Sequence, residues 1–148
     1  WYRTGDLGFI FEGELFVTGR KKDIIIVAGN NIYPDDIEAV VSETAGVHPG
    51  RVVAFGTNNS ERGTEEITIL AESDLQSENE KSKLKLSIAS RIRERLDCTI
   101  KNIVVVPGMW LVKSSSGKIS RSANKDRYLK ELRGRELNEP NNKHNHAD

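Results

Sequence analysis

Cysteine is almost missing. Cys98 is the only one in 148 residues, so no internal disulfide can form, and a reducing compartment such as the cytoplasm is the natural setting. Neither sign of charge prevails: 22 Lys and Arg stand against 22 Asp and Glu. That balance excludes a basic field for nucleic acid and an acidic solvating tail. No apolar run approaches the roughly 20 residues that span a bilayer, so no transmembrane segment is expected. A charged stretch followed by an apolar one is also missing at the start, which excludes a signal peptide. The chain runs from Trp1 straight into Tyr2-Arg3-Thr4-Gly5-Asp6 and reads as a piece of a longer protein. Neither an internal repeat nor a Ser-His-Asp arrangement is visible.

What is there is a series of short elements. Phe9-Ile10-Phe11 and Leu15-Phe16-Val17 flank Glu12-Gly13-Glu14, which predicts a hairpin over 8–18. The polar stretch Gly19-Arg20-Lys21-Lys22-Asp23 marks a boundary. Asp23 to Ala28 is a β-branched run that predicts one buried strand, broken by Gly29-Asn30-Asn31. Pro34, with Asp35, Asp36 and Glu38 after it, opens a helix whose positive end favours acids. Arg51–Phe55 predicts a strand, 56–65 a polar loop, and Glu66–Glu72 a third strand. Ser77 and Glu80 resemble a capping box. The helix they open places Leu84, Ile88, Ile92 and Leu96 on one face. Ile103–Val106 predicts a fourth strand, Met109–Ile119 a loop, and Ser122–Leu132 a last helix. The polar end should be disordered. From about residue 24 the order is β-α-β-β-α-β-α, an α+β domain with a mixed sheet faced by helices.

Four motifs could carry chemistry. Asp6, after a glycine turn, could accept two hydrogen bonds from a diol such as a ribose, or simply cap the turn. Arg20 offers a rigid donor fork; Lys22 could be a solvated charge. Gly29, Asn30 and Asn31 leave room for a ligand against the backbone, or only turn the chain. Ser114-Ser115-Ser116-Gly117-Lys118 invites a phosphate-loop reading that fails, because a Walker motif needs Gly at the position of Val112 and Ser or Thr at that of Ile119. What remains is Lys118 on a small-residue loop, an ordinary loop lysine or a cation that swings onto an anion. Cys98 reads as a structural thiol and His48 as a lone loop histidine. His144 and His146 do not make a metal site, and Trp1 and Trp110 read as packing anchors.

In this order the motifs resemble the C-terminal part of the acyl-adenylate-forming enzymes, which include acyl-CoA synthetases, fatty-acyl-AMP ligases and peptide-synthetase adenylation domains. The matches are YRTGDLG at 2–8, GRKKDIIIVAGNNIYPDDIE at 19–38 and LVKSSSGKISR at 111–121. The resemblance implies that 1–20 end a large N-terminal domain, 21–132 form a small C-terminal lid domain, and 133–148 are a disordered polar tail. It implies nucleotide contacts at Asp6 and Arg20, a hinge at Lys22, an acceptor-tunnel loop at Gly29, Asn30 and Asn31, and the adenylation lysine at Lys118. It further implies ATP and Mg2+, bound mainly by the N-terminal domain, and a phosphopantetheine acceptor on an acyl carrier protein or coenzyme A. Departures from the common pattern are Val112 for Pro, Ser114 for Thr and Ser120 for Gln; none removes a charge. Lys22 and HPGRVVAF at 48–55 lean toward the fatty-acyl-AMP ligases. The expected activity is that of the whole protein, the fragment alone being inactive. An aryl or amino-acid adenylation domain and a non-catalytic interaction module are the alternatives.

Overall fold

A computed structural model describes residues 3–131. The expected disorder of 133–148 lies outside them, as do Trp1, Tyr2, His144 and His146. Strands β1 (Asp6–Phe11) and β2 (Glu14–Arg20) form the expected antiparallel hairpin. Its turn is Glu12-Gly13, both at positive φ, the geometry that matches strand twist. The register shifts between Leu7 and Gly8, where a Cβ would run into the Phe16 carbonyl, so only glycine fits.

The run Asp23–Ala28 is not one strand. Lys21–Asp23 form a single 3-10 turn, and only Ile25–Val27 (β3) extend. The chain then reverses at Ala28-Gly29, at φ 48° and 83°, and β4 (Asn30–Ile32) returns antiparallel to β3. Asn30 and Asn31 are therefore strand residues rather than a break. Two positive φ values make a tight hairpin turn that apolar runs do not announce. The free edge is held from outside: the Ile26 N–H donates to Glu65 Oε2 at 2.7 Å and the Ala28 N–H to Thr64 Oγ1 at 2.9 Å.

Helix α1 (Pro34–Ser42) starts on Pro34 with Asp35 and Asp36 in its first turn, as expected. β5 (Val52–Asn59) and β6 (Thr64–Glu72) pair antiparallel along their whole length, so most of the expected loop 56–65 is strand and only 60–63 turn. Asn59 organises that turn, its Oδ1 accepting the N–H groups of Glu61 and Arg62. Helix α2 (Glu78–Leu96) crosses over to β7 (Asn102–Val106), which lies parallel to β6. The parallel pairing requires such a crossover. Ser77 precedes α2, but its side chain makes no cap hydrogen bond, so the expected capping box is not formed. Helix α3 (Arg121–Glu131) ends the described residues.

The sheet order is β5-β6-β7, and its two faces are covered differently. On one face Ala54, Ile67, Ile69 and Ala71 pack with Ile37 and Val41 of α1 and with Leu84, Ile88 and Ile92 of α2. On the other, Val53, Phe55 and Leu70 pack with Leu111 and with Tyr128 of α3. The period-2 alternation of β5 and β6 thus feeds two cores. Each fully buried Ile or Leu contributes about 1.5–3 kcal/mol. Among the described residues the fold is α+β, with three α-helices and a mixed sheet.

Candidate functional site

A cleft of about 1060 Å³ opens between the foot of the first hairpin, the 3-10 turn, α1 and the loop before α3. Asp6, Arg20, Lys22 and Lys118 all line it. The pairing of β1 with β2 puts Asp6 opposite Arg20, and Arg20 Nε lies 3.3 Å from Asp6 Oδ1. Both stay partly exposed, 58% and 38%, so the pair is open to a ligand from the cleft side. Gly29, Asn30 and Asn31 are not among the walls; they sit, exposed, on the β3–β4 hairpin.

Lys118 stands on a tight loop. Lys113 and Ile119 bridge antiparallel, the Ser114 N–H donates to the Lys118 carbonyl at 2.7 Å, and Gly117 turns the chain at φ 80°. Beneath it Asn124, fully buried, accepts the Val112 N–H on Oδ1 and donates Nδ2 to the carbonyls of Val112 and Ser120, at 2.8–2.9 Å. One amide thus closes both ends of the loop. The Lys118 side chain is exposed and has no ion-pair partner among the described residues. The backbone is held while the ammonium is free, the arrangement a cation needs if it is to meet an anion entering the cleft.

No family model matches the chain. It is 40% identical over 135 residues to a 4-hydroxyphenylalkanoate adenylyltransferase of Mycobacterium tuberculosis, covering 87% of this chain and 21% of that protein. A structure from a study of fatty acyl-adenylate ligases from E. coli and L. pneumophila superposes with a TM-score of 0.75 at 35% identity, covering 91% of this chain and 24% of that one. McyG A-PCP, complexed with phenylalanyl-adenylate, superposes with a TM-score of 0.81 at 27% identity, covering 93% and 22%. The chain belongs to the acyl-adenylate-forming superfamily. It spans about a fifth of the length of the curated relatives it matches. Its fold is that of the C-terminal domain of these adenylating enzymes.

The structure also brings together residues that sequence reasoning missed. Arg121, last in the lysine motif, faces three carboxylates. Its Nε and Nη2 grip Glu38 at 2.9–3.2 Å, Nη1 meets Asp23 Oδ2 at 2.8 Å, and Nη2 meets Asp35 Oδ1 at 3.2 Å. Burial pushes the Glu38 carboxyl above its ordinary range by more than Arg121 and the Ala54 N–H bring it down. Glu72 is the second case. It is 1% exposed, takes the Arg51 fork at 2.7 and 2.9 Å, and accepts the Leu111 N–H at 2.6 Å. Burial raises its pKa, but the Arg51 hydrogen bonds and the N–H groups of Leu111 and Met109 outweigh that and hold it below the ordinary value. Glu38 and Glu72 look like surface charges in the sequence; the one signal was that each stands where a core-facing period places it.

Among the described residues no group of three or more His, Cys, Asp or Glu side chains is placed to hold a metal ion. Asp23, Asp35 and Glu38 on the cleft wall already face the Arg121 guanidinium. Cys98 is half-buried, and burial raises its thiol pKa, as expected of a structural cysteine. No helix among the described residues is long and apolar enough to cross a membrane.

Proposed function

We propose that this domain is the C-terminal lid of an ATP-dependent ligase acting on a fatty or related carboxylic acid. The whole enzyme makes acyl-AMP and pyrophosphate, then passes the acyl group to a phosphopantetheine thiol on an acyl carrier protein or coenzyme A. One observation carries the reading: an unpaired lysine on a backbone-fixed loop shares a cleft with the Asp6–Arg20 pair. In this reading Asp6 accepts the ribose hydroxyls of the nucleotide and Arg20 donates to it. As the carboxylate oxygen attacks the α-phosphorus and the bond to pyrophosphate breaks, negative charge spreads over the phosphoryl oxygens. The Lys118 ammonium orients that carboxylate and offsets the charge, which helps most where water is excluded.

Residues 1–20 then belong to the N-terminal domain and 21–132 to the lid, with Lys22 as hinge. The exposed β3–β4 hairpin bearing Gly29, Asn30 and Asn31 is free to reach the acceptor tunnel after the lid rotates. ATP and its Mg2+ are held mainly by the N-terminal domain, so the isolated region is inactive. The single thiol fits a cytoplasmic enzyme.

The test is pyrophosphate release by the whole protein with fatty, aryl and amino acids, with and without Lys118→Ala. Fatty acids should release pyrophosphate, and the variant should lose about 10²–10³-fold. Acyl transfer to a loaded carrier but not to coenzyme A identifies a fatty-acyl-AMP ligase, and transfer to coenzyme A a synthetase. Release with aryl or amino acids only would replace the substrate class. No release with any acid would leave a docking module.

A further inference from the structure

Arg121 lies three residues beyond Lys118, yet the two are opposites. Lys118 is exposed and unpaired, while the Arg121 side chain is 19% exposed and uses all three guanidinium nitrogens. Its acceptors come from two elements that matter to the motion: Asp23 ends the 3-10 turn that holds Lys22, and Asp35 and Glu38 lie in the first turns of α1. Glu38 reaches further still, since its Oε1 also accepts the Ala54 N–H of β5 at 2.9 Å. A continuous path of hydrogen bonds therefore joins the foot of the lysine loop to the sheet and to the turn that holds the hinge residue.

We propose that Arg121 is a positioning residue: it locks the lysine loop, α1 and the lid-side end of the hinge into one body, so that rotation about Lys22 delivers Lys118 to a fixed place. The proposal rests on the adenylation reading and deepens it. Three observations support it. A fork with donors on two edges is required to grip Glu38 and Asp23 at once, and a lysine point charge cannot do this. Three carboxylates around one guanidinium leave excess negative charge, so Arg121 is engaged inward and is not left to bind phosphate. All its partners lie between residues 23 and 38, within the proposed lid, so the lock survives the rotation. Positioning matters because misplacement of a reacting group by about 1 Å can cost about 100-fold in rate.

The experiment uses the whole protein and compares wild type, Arg121→Lys, Asp23→Asn and Lys118→Ala. Acid-dependent exchange of pyrophosphate into ATP reads the first half-reaction. Thioester formation from supplied acyl-adenylate reads the second, and thermal melting reads the fold. Arg121→Lys should lower kcat of exchange by about tenfold or more, leaving KM for ATP and acid and the second half-reaction within about twofold. Asp23→Asn, which cuts only the hinge tie, should lower exchange by about threefold with an unchanged melting curve. Equal losses in both half-reactions that track a lower melting temperature would reduce Arg121 to a stability role and overturn the proposal. Full exchange activity in both Arg121→Lys and Asp23→Asn, with Lys118→Ala dead, would overturn it while leaving the adenylation reading intact. Normal exchange in Lys118→Ala would take down the reading and the proposal together.

Discussion

The first hairpin and the three-stranded sheet are built from similar residues and end in opposite conditions. In β1 and β2, Phe9, Ile10, Phe11, Leu15 and Val17 are each more than half exposed, and Phe9 and Phe16 stack on one another at 5.3 Å for want of other cover. In β5 and β6, Val53, Ala54, Ile67, Ile69 and Leu70 are at 1% exposure or less, because helices lie on both faces. Apolar strand residues ask for cover, and only one of the two regions finds it among the described residues. A two-stranded hairpin alone is marginal in water. On the proposed domain division the cover for β1 and β2 is the N-terminal domain, whereas the sheet is complete in itself. Yet the cleft draws on both, with Asp6 and Arg20 from the hairpin and Lys118 from the sheet's side.

The contrast is most sharply drawn by a core deletion. Ile69→Ala should cost about 3–4 kcal/mol in urea unfolding of this chain, since the site is fully enclosed and cannot collapse. A cost below about 1 kcal/mol would mean the sheet is no better packed than the hairpin.

Next comes the buried charge at the sheet's end. Glu72→Gln should cost about 3 kcal/mol at neutral pH, because it strands the Arg51 guanidinium. The pH dependence has a sign that can be worked out. The folded Glu72 carboxyl sits below its ordinary value of 4.5, so the unfolded chain takes up its proton first as pH falls. Its stabilisation is present above 4.5 and drains as pH drops through the folded value. Glu38, held above 4.5 mainly by burial, acts with the opposite sign: its contribution is greatest below 4.5 and is lost as pH rises through the folded value. Unfolding curves from neutral pH downward should show a shallower acid loss in Glu72→Gln and a steeper one in Glu38→Gln.

The smallest effects belong to the hairpin. Ile10→Ala, at 74% exposure, should stay within about 0.5 kcal/mol in this chain. Asp6→Ala, which removes an exposed ion pair, should cost less than about 1 kcal/mol. In the whole protein Asp6→Ala should still weaken nucleotide binding, read as a higher KM for ATP. A large stability loss from either change in this chain would show that the hairpin is anchored here after all.

Much of this was legible from local pattern. Leu84, Ile88, Ile92 and Leu96 at steps of four predicted the inner face of α2; the first three are buried, and Leu96, at the helix end, is partly so. Pro34 with Asp35 and Asp36 announced α1, and the small residues around Lys118 announced an exposed loop. These readings succeed because helix period, strand alternation and turn chemistry involve neighbours within a few residues. The β3–β4 hairpin escaped, since its turn is Ala28-Gly29 and its edge is satisfied by Thr64 and Glu65, more than thirty positions on. Most of the loop expected over 56–65 became strand for the same reason, because pairing along β5 and β6 overrode polar composition. The motifs named Asp6, Arg20, Lys22 and Lys118 one by one, but their meeting in one cleft depends on how hairpin, α1 and loop pack. Arg121 states the division most plainly. Its charge is written in the chain; its three partners, 83 to 98 residues away, were chosen by the tertiary structure, because a guanidinium pairs with whatever carboxylates the packing brings within 3 Å or so of it.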